Sequence, residues 1–337
     1  MPPSLTLSQI VDLASAYYGS AVLFAALDAD VFTAVEECGH CPTVESIAQA
    51  RRLDIRGARL LLDACVALGL LEKKGEAYSN TTDGVRSLVT GGTHDLRNAI
   101  RYNRDVYPAW GRLADLVRSG KPVEAPSLHL GDDAERTRAF ALSMHGRALG
   151  IGRCVIPLLD LSGCSRLLDL AGGPGTYAML MAQANPTLRV DTIDLPAISN
   201  VAQELIGKSD VGCRVSCLPG DYHTDRYQTE SYDAVTLFGA LHQESPETIG
   251  DILQRAYAAL RKGGRIFILD MMTDSTHTAP AFSALFAVNM ALTTHEGWVF
   301  SDAELHGWLA KAGFTGCTTR PIPPPMPHWL TRAEKKD

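Results

Sequence analysis

A glycine-rich stretch between residues 165 and 176 has the residue types of a ligand-binding turn. It consists of an apolar run that is followed by three closely spaced glycines, Gly172, Gly173 and Gly175. The run predicts a buried strand, and the glycines predict a tight turn into a helix. Glycine permits positive φ and lets a ligand approach the backbone, and the helix beyond offers free N–H groups. The stretch therefore predicts a site for a nucleotide-like ligand.

The spacing of these glycines discriminates between nucleotide ligands. A dinucleotide fingerprint needs Gly-x-Gly-x-x-Gly, whereas here Asp169 precedes the glycines and the third glycine position is not filled. A carboxylate at this turn repels a pyrophosphate, but it is complementary to a ligand that carries an ammonium group and a sulfonium centre. S-adenosylmethionine carries both groups and is the predicted cofactor. A nicotinamide dehydrogenase is disfavoured by the missing glycine.

The same stretch resembles motif I of the class I methyltransferases that use S-adenosylmethionine. From about residue 10 to residue 320 the chain resembles the two-domain small-molecule O-methyltransferases of the caffeic acid, acetylserotonin and hydroxyneurosporene type. The resemblance implies an α/β fold, a Rossmann-like doubly wound methyltransferase sheet with an N-terminal winged-helix dimerisation domain. It further implies a homodimer that transfers a methyl group to a small molecule.

Acidic residues follow three successive predicted strands, and these are Asp169, Asp194 and Asp221. Ligands of open α/β sheets bind at the carboxyl ends of the strands. A carboxylate after the second strand can accept both ribose hydroxyls. By resemblance, Asp221 binds the adenine amino group and Tyr222 lies against the adenine ring. The other residues predicted for the cofactor site are Leu195 and Phe238.

A histidine follows the fourth predicted strand, in the sequence Leu-His-Gln-Glu-Ser-Pro. The family carries its catalytic base at this position, so the resemblance assigns that role to His242. An imidazole is suited to proton removal near neutral pH. In the family the histidine is usually followed by Asp or Asn and then by an aromatic residue, whereas here Gln243 and Glu244 follow it.

Two acids tend to orient the histidine in the family. One corresponds to Asp270, at the end of the fifth predicted strand. The other falls in a Gly-x-Glu-x-Thr stretch that here reads Gly-Trp-Val-Phe-Ser, so Val299 replaces it and Glu296 is the predicted substitute. The base machinery is thus matched in part, and a thiol or thioether acceptor that needs no base remains the alternative to a hydroxyl.

Aromatic and methionine side chains predict a pocket for a flat or apolar acceptor. In the family, linker helices pass over the mouth of the cofactor domain and contribute to this pocket. The predicted substrate-binding residues are Tyr102, Tyr107, Trp110, Met144, His145, Asn289, Met290 and Trp298. Such side chains occur equally in cores, and the sequence does not determine the acceptor.

Strand and helix patterns alternate regularly after the glycine turn, which predicts a parallel sheet with helices on both faces. Before it, apolar residues at helical spacing, a capping signal at Thr43 and a hairpin from Leu70 to Ser79 predict a winged-helix layout. The predicted domains are 1–90 for dimerisation, 91–155 as a helical linker and 156–325 for cofactor binding. The proline-rich segment from Pro321 to Pro327 is predicted to end regular structure.

The net charge and the residues of the candidate recognition helix bear on whether the protein binds nucleic acid. The 337 residues carry a formal net charge of −7 at pH 7, which argues against a nucleic-acid partner. A ligand-sensing winged-helix regulator is the alternative from another class, because Arg51, Arg52, Arg56 and Arg59 lie on or beside its candidate recognition helix. The helix lacks asparagine and glutamine for base readout, which favours dimerisation.

Localisation and metal content follow from further sequence features. With no secretory signal pattern and no apolar run of about 20 residues, the sequence predicts a cytoplasmic protein without membrane partners. Its eight scattered cysteines are typical of reduced thiols. The lone Cys38-Gly-His-Cys41 has no matching second pair, so no metal is predicted.

Overall fold

The computed structural model describes residues 4–324 and 326–336. The chain divides into two compact units between Arg104 and Asp105. Within residues 4–104, the described part of the first unit, there are six helices and a two-stranded sheet that lie wholly in it, with the bounds α1 Leu7–Ser15, α2 Tyr17–Asp28, α3 Val31–Glu37, α4 Val44–Arg51, α5 Ile55–Ala67, β1 Leu71–Lys74, β2 Ala77–Asn80 and α6 Thr82–Ser87. Helix α7, Arg97–Trp110, crosses the division.

Local signals explain where the helices of the first unit begin. Thr6 and Thr43 each form a capping box with the third residue of the following helix, and the Asp54 carboxylate caps α5. The antiparallel strands β1 and β2 turn at Gly75, which has a φ of +61°. Large apolar side chains from α3, α4, α5 and the hairpin form one core, among them Phe32, Ile47, Leu62, Leu71 and Tyr78.

Two of the four arginines on or beside α5, Arg51 and Arg59, are engaged in ion pairs. Arg59 lies 3.3 Å from Glu45 and 3.4 Å from Glu76, while Arg51 lies 2.9 Å from Asp30 and 2.7 Å from Glu37. These carboxylates compete with phosphates for the guanidinium groups. The pairing weakens the regulator interpretation of this unit.

Helices α1 and α2 together form a long apolar stretch near the N-terminus. The sequence analysis predicts no such run, but Leu7–Asp28, with 22 residues and a mean hydropathy of 1.6, is long and apolar enough by length and composition to cross a membrane. It is the one stretch of this kind among the residues that the structure describes. Only 11% of it is buried, and helices of soluble proteins pass the same test.

The second unit carries the larger sheet. Its helices are α8 Leu113–Ser119, α9 Ala134–Val155, α10 Thr176–Ala184, α11 Pro196–Gly207, α12 Pro246–Ala259, α13 Ala281–Thr293 and α14 Asp302–Lys311. Its strands are β3 Arg166–Leu170, β4 Arg189–Asp194, β5 Val215–Pro219, β6 Tyr232–Phe238, β7 Leu260–Asp270, β8 Phe314–Pro321 and β9 Trp329–Lys335. The described residues of this unit also include three short 3₁₀ segments, Pro126–His129, Ile156–Leu158 and Leu241–Gln243.

The strand order in this sheet is β5-β4-β3-β6-β7-β9-β8. The first five strands are parallel, and β9 runs antiparallel to both β7 and β8. Two large apolar clusters are built on the buried strands β3, β4, β6 and β7. The predicted doubly wound sheet is confirmed. The order in which strands are added reverses between β3 and β6, and open α/β sheets bind ligands at the carboxyl ends of the strands beside such a point.

One prediction about the C-terminal part is wrong. Regular structure does not end at the proline-rich segment, because β9 follows it and inserts between β7 and β8. Leu330 and Ala333 are buried, and the Lys335 ammonium donates to the Leu260 carbonyl at 2.8 Å. Pairing with β7 on one side and β8 on the other stabilises β9. Residues distant in the sequence therefore determine this strand, and its own local sequence does not predict it.

Candidate active site

The carboxylate of Asp169 lies at the centre of the sheet. It is 1% exposed and accepts hydrogen bonds from the hydroxyls of Thr192, at 3.1 Å, and Thr236, at 2.6 Å. These threonines pair with Asp169 in register on the two neighbouring strands, β4 and β6. Asp169 therefore ties three strands together directly below the glycine turn.

The glycines of the turn are required for two different reasons. A Cβ on Gly172 would lie 1.8 Å from Thr192 Oγ1 and 2.5 Å from Asp169 Oδ2, which leaves no room for a side chain. Gly173 has a φ of +58° and open space around its Cβ position, so its backbone is accessible to a ligand. Gly175, with a φ of +72°, lies at the N-cap of α10.

Asp194 fastens the glycine turn from the next strand. Its carboxylate accepts from the Gly173 N–H at 2.7 Å and from the Leu195 N–H at 2.8 Å. Its carbonyl accepts from Gly220 N–H at 2.9 Å, which joins it to the segment after β5. The predicted cofactor residues of β3, β4 and β5 therefore meet at one edge of the sheet.

Both acids at this edge have raised pKa values. Burial raises the pKa of Asp169 to about 6, and the negative charge of Asp194 adds to the effect. Burial also raises the pKa of Asp194 to about 6, against the two backbone hydrogen bonds that lower it. Burial disfavours the ionised forms of these two neighbouring carboxylates, and a cationic ligand beside them would stabilise those ionised forms.

His242, which follows β6, and Asp270, the last residue of β7, form a hydrogen-bonded pair. The Nδ1 atom of His242 lies 2.6 Å from Asp270 Oδ1, and the His242 backbone N–H donates to Asp270 Oδ2 at 3.2 Å. Asp270 is 1% exposed and also accepts from the Met271 N–H at 2.8 Å. The carboxylate fixes the ring orientation and assigns the proton to Nδ1, which leaves Nε2 as the basic nitrogen.

The second predicted acid does not join this pair. Glu296 is exposed, and the hydrogen bonds that the structure gives the His242 ring do not include it. Val299 is 2% exposed and packs in the core. Gly297 does approach the histidine, since a Cβ there would lie 3.1 Å from the His242 carbonyl oxygen, and Trp298 N–H donates to that oxygen at 2.9 Å.

Helix α13 carries two of the predicted acceptor residues and a ring that contacts His242. Asn289 and Met290 are 6% and 4% exposed, and the Trp110 indole N–H donates to Asn289 Oδ1 at 2.9 Å. Phe286, which the sequence analysis missed, meets the imidazole edge to face with 5.1 Å between the ring centroids. Phe286 lies three residues before Asn289 and four before Met290, so the helical spacing places it on the same face of α13 and could have indicated it from the sequence.

The remaining predicted acceptor residues lie on α9 and α7. His145 Nδ1 is 2.8 Å from the Thr176 hydroxyl at the start of α10, and burial lowers the pKa of this histidine. Met144 and Tyr107 are half-buried. Tyr102 belongs to the first unit, so its role remains a prediction.

Phe238 and the segment after β5 complete the predicted cofactor residues. Phe238 is 7% exposed at the end of β6 and meets the Tyr177 ring at 5.1 Å between centroids. Tyr222 stacks on His223 with 4.2 Å between ring centroids. Asp221 accepts from the His223 ring at 2.7 Å and thereby gains a partner that the sequence analysis did not predict.

A further histidine that the sequence analysis missed lies close to the pair. His328 is 8% exposed, precedes β9, and sits beside the position at which Trp329 pairs with Asp270. Burial lowers its pKa to about 4, and the nearby positive charge of Arg147 lowers it further, so the ring is neutral at pH 7. It lies beyond the proline-rich segment, where the sequence predicted no structure.

Residues 110–315 match the model of the O-methyltransferase domain family, and residues 11–89 match that of the O-methyltransferase dimerisation domain. The chain belongs to the O-methyltransferase family. It is 32% identical to the tetracenomycin polyketide synthesis 8-O-methyl transferase TcmO of Streptomyces glaucescens over 94% of each chain. It is 30% identical to acetylserotonin O-methyltransferase of Bos taurus, over 91% of this chain and 92% of that one.

The fold of this O-methyltransferase agrees with that of a solved relative. The human N-acetylserotonin methyltransferase in complex with S-adenosylmethionine superposes with a TM-score of 0.89, at 26% identity and over 100% of both chains. The predicted enzyme class and cofactor are thus confirmed. The first unit is a dimerisation domain by its family match, which replaces the regulator alternative.

The structure itself fits the cofactor of the family. The open space at Gly173 leaves room for a ligand against the backbone, and the two acids with raised pKa values provide the negative charge that a sulfonium and an ammonium group need. Among the residues that the structure describes, no group of three or more His, Cys, Asp or Glu side chains is placed to hold a metal ion.

Proposed function

We propose that this enzyme methylates a hydroxyl group of a small aromatic acceptor, with His242 as the general base. The observation that carries the proposal is the 2.6 Å contact between His242 Nδ1 and the buried Asp270 carboxylate. A thioether acceptor would need no such pair. The pair lies at the carboxyl ends of β6 and β7, beside the strand that leads into the glycine turn.

The chemistry divides between the cofactor and the protein. S-adenosylmethionine supplies a methyl group that is already activated by the sulfonium. The protein must hold the acceptor in line, exclude water and remove the hydroxyl proton. His242 Nε2 accepts that proton, and Asp270 stabilises the imidazolium that results.

We assign the cofactor contacts to the edge built by β3, β4 and β5. Asp169 provides charge under the turn, Gly173 offers its backbone, and Asp194 accepts from the ribose hydroxyls. Asp221 remains the proposed partner of the adenine amino group, with Tyr222 beside it. The half-exposed Asp221 side chain is accessible for that contact.

The acceptor pocket is assigned to the residues around α13. The rings of Trp110 and Phe286 and the thioether of Met290 offer flat and apolar surfaces, which fits an aromatic acceptor. The relatives support an oxygenated aromatic acceptor by their names, among them a 3-hydroxy-5-methyl-1-naphthoate 3-O-methyltransferase that is 30% identical. Another relative, 32% identical, is named an L-tyrosine C(3)-methyltransferase, so the methylated atom must be determined directly.

The test is to incubate the pure protein with S-adenosylmethionine labelled in its methyl group and with a panel of naphthols, hydroxynaphthoates, phenols, thiols and thioethers. Product analysis by NMR distinguishes methyl on oxygen, carbon and sulfur. We expect O-methylated phenolic or naphtholic products. Products methylated on sulfur alone would overturn the hydroxyl assignment, and failure to bind the cofactor would overturn the proposed function as a whole.

Cofactor affinity should fall in mild acid. Asp169 and Asp194 have pKa values of about 6, and a cationic ligand favours their ionised forms. Protonation below pH 6 must therefore oppose binding, by about tenfold for each carboxylate between pH 7 and pH 5. Calorimetric titration with S-adenosylmethionine across this range measures the effect.

The matching variant is Asp194→Asn, which should bind the cofactor more weakly at pH 7 and show a shallower dependence on pH. An affinity that stays constant from pH 7 to pH 5 in the unaltered protein would contradict the placement of these two carboxylates beside the cofactor.

We also propose that the first unit forms a homodimer and that it does so through its winged-helix layout. Helix α1 exposes apolar side chains, with Leu7 81%, Val11 62% and Leu13 64% exposed. Such a surface requires cover in a stable protein. The family match to the dimerisation domain makes a second copy of the chain the proposed cover.

Sedimentation should show twice the chain mass of 36.3 kDa at micromolar concentration. Leu7 and Val11 lie one helical turn apart, so the double change Leu7→Lys and Val11→Lys should shift the protein to monomer. Val117→Lys is the matched control, because Val117 is 76% exposed on α8 of the other unit, and it should leave the dimer intact. A stable monomer of the unaltered protein would contradict the proposal.

We also propose a cytoplasmic location, because a second copy of the chain, rather than a membrane, is the proposed cover for the apolar helices. The proposed dimer interface accounts for the exposed apolar helices that resemble a membrane span. Fractionation of cells that express the full chain should recover it without membranes, whereas recovery in the membrane pellet would favour insertion of Leu7–Asp28.

A further inference from the structure

A buried carboxylate connects the segment after β5 with the segment that carries His242. Glu244 is 7% exposed. Its Oε1 accepts from the Tyr222 hydroxyl at 2.5 Å, and its Oε2 lies 3.0 Å from His223 Nε2. We call Tyr222, His223 and Glu244 the adenine-side cluster. Both oxygens of one carboxylate are thus used to hold two consecutive side chains.

The charges in this cluster are balanced. A buried carboxylate is costly unless a hydrogen-bonded cation accompanies it, and His223 is that cation. Its hydrogen bond to Glu244, with the charge of Glu244 and the contact to Asp221, raises the pKa of His223 to about 9. At neutral pH a protonated imidazole therefore bridges Glu244 and Asp221, at 3.0 Å and 2.7 Å.

The surrounding groups favour this arrangement. Burial and the charge of Glu244 raise the pKa of Tyr222, so its hydroxyl keeps the proton that it donates. Burial raises the pKa of Asp221, but the hydrogen bonds from His223 and the positive charges of His223 and of Arg255 on α12 outweigh it, so the pKa is lowered. Asp221 thereby stays ionised beside the imidazolium.

The backbone of Glu244 belongs to the loop after β6 that carries His242. Its carbonyl accepts from the Trp298 indole N–H at 3.0 Å, and the Trp298 backbone N–H donates to the His242 carbonyl at 2.9 Å. The Glu244 N–H donates to Leu241 at 3.1 Å. A continuous set of hydrogen bonds therefore runs from Asp221 through His223 and Glu244 to the residues that hold His242.

We propose that Glu244 is a positioning residue that couples the adenine side of the cofactor site to the loop of the catalytic base. The proposal rests on the proposed function, which assigns adenine to Asp221 and proton removal to His242. Loosening the adenine-side cluster moves Asp221 and the His242 loop together. Loss of Glu244 therefore affects cofactor affinity and turnover at once.

The first test uses Glu244→Gln, which keeps the size and one acceptor oxygen but removes the charge. We expect the Kd for S-adenosylmethionine to rise and kcat at saturating cofactor to fall, each by about ten- to a hundredfold, as a displacement of reacting groups predicts. Glu247→Gln is the matched control, an exposed carboxylate three residues on, and it should leave both quantities unchanged.

The second test is a double-mutant cycle with His223→Gln, which retains a donor near the Nε2 position without the positive charge. If the ion pair carries the coupling, the double variant should lose no more than the worse single variant. The side chain of His223 is 41% exposed, so if Glu244→Gln fails to fold, the Kd and kcat of His223→Gln alone still test the ion pair. Additive losses would contradict the coupling.

A pH profile separates positioning from a merely structural role. The bridge is complete while His223 is protonated and is lost as the pH rises through its pKa of about 9. Cofactor affinity of the unaltered protein should weaken above that pH, and this alkaline limb should be absent from His223→Gln. Unaltered protein that binds the cofactor, together with a Glu244→Gln variant of native Kd and kcat, would overturn this inference and leave the proposed function intact.

Discussion

Replacement of His242 by alanine is expected to lower turnover with a hydroxyl acceptor by about 10² to 10⁴, the usual contribution of general-base catalysis. The imidazole is the group whose Nε2 is left to accept the hydroxyl proton, since Nδ1 is held by Asp270 at 2.6 Å. Initial-rate measurements at saturating S-adenosylmethionine give the value. The Kd for the cofactor should stay near that of the unaltered protein, because the proposed cofactor contacts lie at other strand ends.

A histidine outside the site provides the control. His306 on α14 contacts the Thr319 hydroxyl at 2.7 Å, so His306→Ala removes an imidazole and one hydrogen bond without approaching the site. It should retain full turnover. Asp270→Asn, which keeps the shape but removes the negative charge, should also lower turnover, since nothing then stabilises the imidazolium.

The acceptor atom determines how the His242→Ala result is interpreted. With a thioether acceptor no proton leaves, and the substitution should cost little. Nearly full activity of His242→Ala with a hydroxyl acceptor would contradict the base assignment. Proton removal would then fall to Asp270 or Glu244.

Gly172→Ala is expected to damage both stability and cofactor binding. The new Cβ would lie 1.8 Å from Thr192 Oγ1 and 2.5 Å from Asp169 Oδ2, so the turn or the threonine must move. Forcing a methyl group into a packed interior costs about 1–3 kcal/mol of unfolding free energy. The displaced turn should weaken S-adenosylmethionine binding by about ten- to a hundredfold, which corresponds to a loss of about 1.4–2.8 kcal/mol of binding free energy. Denaturant unfolding and calorimetric titration measure the two effects.

Gly250→Ala is the matched control for this change. Gly250 lies inside α12, and its Cβ position has no neighbour within 4 Å. Alanine there should raise stability by about 0.5–1 kcal/mol through its better helix propensity and leave cofactor binding unchanged. Native affinity and native stability of Gly172→Ala would show that the contact between the turn and Asp169 does not set the cofactor site.

Local patterns in the sequence determined the elements that build the site. The glycine turn, the alternation of strands and helices and the acids at strand ends all depend on residues that are neighbours in the chain. Periodicity and glycine spacing report on such local structure. For that reason the fold class and the positions of Asp169 and Asp194 at strand ends follow from the sequence.

Pairings between distant segments were decided by the tertiary structure alone. Strand β9 was missed because its stability comes from β7 and β8, and His328 was missed with it. Proximity in sequence predicts Glu296 as the substitute for the second acid, but the fold leaves Glu296 exposed while Val299 enters the core. Sequence distance does not determine which side chain a turn directs inward.

The same reason applies to the electrostatics of the site. The sequence shows Glu244 only as a departure from the family pattern, whereas the fold places it against Tyr222 and His223 and makes it a buried ion-pair partner. The raised pKa values of Asp169 and Asp194 likewise follow from burial, which depends on how the sheet and its helices pack. The sequence by itself determined which chemical groups are present, and the tertiary structure decided which of them meet, because burial and hydrogen bonding act through space rather than along the chain.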